Sequence, residues 1–446
     1  MKKVFLFFCV ITQFSFFQSP VVNRYLAPAF SPFVSETTVS KGALHVSLFA
    51  SQASKIFTEK QKDRTLYEHN GILELDGPYR LTSLVTALQK KAEGEGKPYV
   101  SPFAREAGGS AWAGRNLVFG AQSSLLLFGA NVASEYAVTP HIRCGVDLPF
   151  MRVEARERYV FPATKADKSL SVANQEQVQR LRRYVNEDVG LTVGDWTKEG
   201  IGDTTVWLSY AQRWGRKGLL RSSSLAGRFA VSLPTSSVRD ERYASSIPFG
   251  GNGHWGIGVT LTPQAEIKEG WRFACPISFI GQTRTTRVRR LAQYDEADIF
   301  SPLKGKTMVQ PGFTCTLYPQ LTLEHATENL HVTLGWNFTK HWKDRVTDMR
   351  SDTKRVPSFV TRTQLPTFSL YSPAKQRELV DNNIERKRTL SSWHTHYITL
   401  HAAYELCDLF PAKRYAPLAQ FGFDYALSGK NHVRTYTVTM AFSWRF

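Results

Sequence analysis

Few residues of this 446-residue chain stand at spacings that could do chemistry. His394 and His396 form the one metal-like pair, because positions i and i+2 of a strand share a face and both imidazoles could reach one ion. Ile398, Leu400 and Tyr404 continue the same parity, so that face reads as apolar and outward, where rim imidazoles are common. The pair is therefore read as interfacial, and no metal or cofactor is expected. A lipid hydrolase would need a Ser and an orienting Asn or Asp beside an outward-facing His. No Ser is so placed, and no GxSxG, HExxH, P-loop or βαβ-borne GxGxxG motif occurs. No enzymatic activity is expected.

The five cysteines contain no CxxC pair. Cys144, Cys275 and Cys315 fall on the apolar parity of their segments, where a thiol packs as a small hydrophobe. Cys407 lies in a short turn, and Cys9 sits in an apolar run with no lipobox around it. Cys275 and Cys315 belong to segments expected to be neighbours, so a bridge is conceivable in an oxidising compartment, with free thiols the preferred state.

Charge must be weighed against compartment. With 56 Lys and Arg against 38 Asp and Glu, the formal charge is +18, which invites a nucleic-acid reading. Lys2 and Lys3 followed by the mostly apolar Val4 to Phe17, however, form a secretory signal too short to span a membrane. We assign 1–29 to the signal, with Ala27-Pro28-Ala29 the only cleavage-like pattern. Export removes nucleic acid as a partner. The basic runs Arg284-Arg287-Arg289-Arg290 and Arg386-Lys387-Arg388 fall in long connections, with lipopolysaccharide phosphate as the nearest anion or plain solvation as the alternative. An aromatic content of 13% excludes a disordered chain, and a mean hydropathy of −0.28 excludes a helical multi-pass membrane protein.

The elements that position these residues alternate with period two. Leu330, Val332, Leu334, Trp336 and Phe338 alternate with His331, Thr333, Gly335, Asn337 and Thr339; from Val433 to Phe446 aromatics again alternate with Thr, Ala and Ser. Bulky apolar groups on one face and small polar groups on the other invert an ordinary soluble core and suit a transmembrane barrel. Twelve such segments run at 42–52, 122–138, 141–156, 203–214, 222–234, 253–266, 270–284, 306–318, 329–343, 392–406, 415–428 and 433–446. Each can make a tilted crossing, which needs ~9–11 residues. Short connections (139–140, 215–221, 267–269, 319–328 and 407–414) alternate with mostly long ones. The expected fold is therefore an all-β antiparallel barrel over 30–446, with long outer loops. In 157–202, Asn174 can cap a loop helix bearing Val178, Leu181 and Val185. The segment 53–121, with an amphipathic stretch from Leu81 to Lys91 and the small run 107–111, forms a hatch, a long loop, or two further strands that make fourteen.

Inward parity marks a candidate pore lining: Glu135, Arg143, Asp147, Asp203, Arg213, Arg228, His254, Arg272, Asn337, His401, Glu405, Asp424 and Arg445, with Arg284 also on that parity. Basic and acidic groups nearly balance, so a weak anion preference is expected. A small polar side chain should be tolerated at Gly335, whereas Arg at Leu334 should not.

The chain resembles a Gram-negative outer-membrane β-barrel through its terminal signature Phe442-x-Trp444-x-Phe446, combined with the signal peptide. In that class the signature is read by the barrel-assembly machinery, which the resemblance implies as a partner. Outer-membrane lipid and lipopolysaccharide are implied as surroundings. A weaker similarity, to the fatty-acid and aromatic-compound transporters of that membrane, rests on Gly200-Ile201-Gly202-Asp203-Thr204 and Val146-Asp147-Leu148-Pro149. Their N-terminal hatch motif is not evident. The expected function is a channel or transporter for passive passage of small polar or amphipathic solutes. The alternative is a plugged barrel that adheres through its loops.

Overall fold

The computed structural model describes residues 23–26, 41–59, 66–69, 75, 120–160, 191–192, 194–215, 220–291, 297–300, 304–327, 329–349, 381, 384–406 and 417–445. The candidate helices at 81–91 and 174–185, the run 107–111, Cys9, Cys407 and Phe446 lie outside them. Twelve antiparallel strands close into a barrel. They are β1 (Gly42–Glu59), β2 (Gly120–Ala137), β3 (Ile142–Val160), β4 (Thr204–Trp214), β5 (Ser222–Leu233) and β6 (Gly256–Lys268). There follow β7 (Trp271–Ala274 with Ile277–Gln282), β8 (Thr314–Leu317 with Gln320–Thr327), β9 (Leu330–His341), β10 (Trp393–Glu405), β11 (Leu418–Lys430) and β12 (His432–Arg445). β12 pairs with β1 in the register Leu44↔Trp444 and Val46↔Phe442, so the barrel wall closes on itself. Closure of this kind is what lets strands cross lipid without orphaned N–H and C=O groups.

Alternation decides which way each side chain faces. Leu334 is 53% exposed and Leu400, its partner on β10, 50%. Asn337 and Thr399 on the inner face are 0% exposed. A water-facing surface with this many exposed Leu, Phe, Trp and Ile side chains would aggregate, whereas hydrocarbon solvates it. The outward rings also cluster: Trp336 stacks on Phe338 at 6.2 Å and Phe442 on Trp444 at 6.0 Å.

Eleven strands fall where alternation puts them, β1 running beyond the expected 42–52 to Glu59. The expected crossing at 306–318 is displaced. The strand that crosses is β8, and its turn to β9 is at 328–329, where Asn329 takes a φ of 65°. Two features explain the slip. Pro319 reads as a turn residue, yet it sits inside β8, where its carbonyl still accepts Trp336 N at 3.0 Å. Lys306 shares a face with Met308, and that face could not meet hydrocarbon. Lys304–Gln310 instead joins Thr285–Arg290 and Arg345–Asp348 in a three-stranded sheet beyond the barrel. Leu66–His69 extends β1 as a hairpin rather than adding a crossing.

The described helix lies in the connection from β9 to β10, over 384–391. At the N-terminus, residues 23–26 fall within the stretch assigned to the signal, yet they are packed inside the outer end of the barrel. Tyr25 is buried in one cluster with Ile56, Leu125, Trp196, Phe249 and Val433. Asn23 Nδ2 donates to Pro248 O at 2.7 Å, and Arg24 O accepts Val433 N at 3.3 Å.

Candidate functional site

The inner wall is built of ionisable groups that the strand register brings into pairs. On β2 and β3, Glu135 lies opposite Gly145, two residues from Arg143, whose Nη1 donates to Glu135 Oε1 at 2.9 Å. His45 on β1 approaches the same carboxylate at 3.9 Å and bonds Ser443 through Nδ1 at 2.8 Å. Arg272 on β7 meets Glu324 on β8 at 3.0 Å. His401 on β10 meets Asp424 on β11 at 3.2 Å, and Glu405 lies 3.6 Å from His331. Asp147 is buried in register with Ala133 and Thr205, and Arg228 lies 4.0 Å over the Trp207 ring. Asn337 accepts from Thr339 Oγ1 at 3.0 Å. Arg213 is half-buried on the inner face of β4.

Two of the residues picked out by parity, Asp203 and Arg284, have other surroundings. Asp203 clamps a loop: Oδ1 accepts Ser236 N at 3.0 Å and Oδ2 accepts Gly251 N at 2.6 Å. Arg284 is exposed, and the Arg445 side chain lies outside the described residues. His394 and His396 face outward among aromatic rings, with His396 4.8 Å from Phe338 and 5.5 Å from Trp336. Cys315 lies opposite Phe279, four positions out of register with Cys275, and both thiols are free.

Large rings lie flat along the wall over small residues. Tyr318 reaches across β9 to Thr399 Oγ1 at 2.6 Å, passing over Gly335. Tyr397 reaches across β11, packed on Ala426, to Thr435 Oγ1, also at 2.6 Å. The Trp207 ring occupies the space where Gly145 would carry a Cβ. Gly335 is thus not a permissive lumen position. A Cβ there would stand 2.5 Å from Tyr318 Cε2, against the expectation that Ser would be accepted.

At the outer end a cavity of about 380 Å³ opens inside the ring of loops. Its walls are the ends of β6, β7, β9 and β10, the three-stranded sheet, the helix over 384–391 and the segment 23–26. His254 at its base donates through Nδ1 to Thr283 O at 2.6 Å; burial, then the charges of Arg289 and Arg287, hold its pKa down to about 4. Sequence reasoning placed Arg287, Arg289 and Arg290 on an outer loop without seeing that they line a cavity. The alternation of Arg287 and Arg289 was the available signal, since i and i+2 share a face.

A closed antiparallel barrel of twelve strands, apolar outside and ionisable inside, is a transmembrane β-barrel. No protein-family model matches the chain, and no curated protein matches it in sequence. Among solved structures, an outer membrane channel from Pseudomonas putida F1 is similar over 92% of this chain and 97% of its own, at 9% identity and a TM-score of 0.45. The P. putida toluene transporter TodX is similar over 91% of this chain and 90% of its own, at 10% identity and a TM-score of 0.33. The β domain of the Bordetella autotransporter BrkA is similar over 91% of this chain and 100% of its own, at 6% identity and a TM-score of 0.34. Likenesses of this strength carry nothing about function.

Proposed function

We propose that this barrel is an outer-membrane channel or transporter of a Gram-negative-type bacterium, passing small polar or amphipathic solutes through its lumen without an energy source. The supporting observation is the inverted wall, ionisable within and apolar without, with a cavity of about 380 Å³ at its outer end. Outer-membrane lipid and lipopolysaccharide then surround the apolar band, and the barrel-assembly machinery recognises the aromatic final strand. Nucleic acid is no partner, and no enzymatic activity is assigned.

A second reading, a plugged surface barrel acting through its loops, has one observation in its favour. Asn337, Tyr397 and Thr399 on the inner wall are fully buried. Conductance in planar bilayers separates the two. Stepwise currents with a weak anion preference that fades at high salt are expected of the channel. A clear cation preference would contradict the charge assignment. No current, together with no solute flux from proteoliposomes, would leave the plugged barrel.

A further inference from the structure

Among the described residues, six cationic side chains, Arg24, Arg239, Arg287, Arg289, Arg290 and Lys387, line the outer cavity against three carboxylates, Glu241, Asp298 and Asp344. Each carboxylate is already engaged. Lys387 pairs with Asp298. Asp344 Oδ1 accepts Gly312 N at 2.8 Å and lies 2.9 Å from His341 Nε2. Glu241 Oε2 accepts Arg290 N at 3.5 Å, and Arg290 Nε donates to the Glu241 backbone oxygen at 3.1 Å. Arg24 Nη1 in turn donates to Leu390 O at 3.0 Å. Among the described residues the Arg287 guanidinium has neither hydrogen bond nor ion pair, and Arg289 stands beside it on the same face of Thr285–Arg290. A half-buried guanidinium next to a second one is electrostatically costly, as the downward pull on the Arg287 pKa by burial and by Arg289 reflects. Its place is also built. Gly253, at a φ of 77°, backs onto the Arg287 guanidinium, and a Cβ there would overlap it.

We propose that this cavity binds a small phosphoryl-bearing solute, held by Arg287 and Arg289. The proposal rests on the channel reading for its biological sense, the cavity being the point of entry. A phosphate group carries about −1.5 to −2 charge at neutral pH and offers three acceptor oxygens, which suits two adjacent guanidinium forks better than a single carboxylate does. Pockets that hold small ligands start at ~300 Å³, so a phosphate with a small organic body fits. Phosphoryl groups also occur on lipopolysaccharide, but the cavity lies inside the loop ring, lined by Trp393, His341 and Asn23. A soluble phosphate is therefore the assigned source.

The test uses the full chain, folded in detergent. Phenylglyoxal modification of Arg287 and Arg289, read by peptide mass spectrometry, should be slowed at least threefold by millimolar inorganic phosphate, while the exposed Arg242 reacts unchanged. By calorimetry, Arg287→Gln with Arg289→Gln should weaken phosphate binding at least tenfold, and Arg242→Gln should not. Unprotected arginines in the wild-type protein, or a double variant that binds phosphate normally, would overturn the site. Protection by lipopolysaccharide without protection by phosphate would likewise overturn it in favour of an outer lipid contact. The wild-type protection experiment decides the matter even if the double variant fails to fold. Phosphate protection without conductance would retain the site and remove the channel, and conductance without protection would do the reverse.

Discussion

Replacing Gly335 with Ala adds one carbon to the inner wall where the Tyr318 ring crosses β9. That Cβ would lie 2.5 Å from Tyr318 Cε2 and 2.6 Å from Thr399 Oγ1, both well inside contact distance. The ring cannot simply swing away, because its hydroxyl is tied to Thr399 Oγ1 at 2.6 Å. Overpacking a close-packed interior costs ~1–3 kcal/mol, and losing the buried hydrogen bond adds ~0.5–1.5 kcal/mol. The expected loss is therefore roughly 2–4 kcal/mol, measured by urea titration of reversible folding into lipid vesicles. In a Tyr318→Ala background the ring is gone and the Thr399 hydroxyl, released from Tyr318, is the contact left, so Gly335→Ala should cost at least ~1 kcal/mol less than in the wild type, a difference that a double-mutant cycle isolates. An equal cost in both backgrounds, or none in either, would refute the packing. Gly335→Ser, harmless by alternation alone, should be as damaging as Ala.

Three further outcomes follow from the same geometry. Leu334→Arg places a charge on the outward face and should cost ~2–4 kcal/mol in the same vesicle assay; wild-type stability would show that the faces are reversed. Deleting Phe446, or changing Phe442 and Trp444 to Ser, should abolish assembly, since Trp444 and Phe442 oppose Leu44 and Val46 at the closing seam. Normal surface levels and heat-shifted gel mobility would contradict that. His254 is held neutral by burial, its pKa about 4 in the folded chain against 6.5 ordinarily. The unfolded chain then binds the extra proton first, so stability falls as pH drops from about 6.5 towards 4, by roughly 3 kcal/mol at most. A His254→Gln variant should lose that part of the slope, and an unchanged urea-midpoint profile would remove His254 as its source.

Alternation made the barrel legible because lipid and lumen impose opposite demands on successive residues, as at Leu334 and Gly335. It failed at β8 for an equally physical reason. Pro319 lacks an N–H and reads as a break, but its carbonyl still serves the ladder to Trp336, and Leu321 resumes the outward face beyond it. Parity also says only which face a residue occupies. It could not show that Tyr318 skips over β9 to reach Thr399, because that contact depends on ring length and on the missing side chain of Gly335. Nor could it separate Asp203, fixed by two backbone N–H groups, from an inward acid left to meet an ion.

That last distinction bears on selectivity. Six inward basic groups against five acidic ones suggests a weakly positive lumen only if each charge acts alone. In the structure Glu135 answers Arg143, and Glu324, which parity did not single out, answers Arg272. The field of a close pair falls away faster than that of a lone charge, so these groups orient the wall more than they sort ions. Among the described residues, basic side chains outnumber carboxylates by six to three at the mouth instead. A surface charge there acts over about 10 Å at 0.1 M salt and only about 3 Å at 1 M. On the proposed function, anion preference and its loss at high salt are therefore properties of Arg287, Arg289 and their neighbours at the entrance, rather than of the strands beneath.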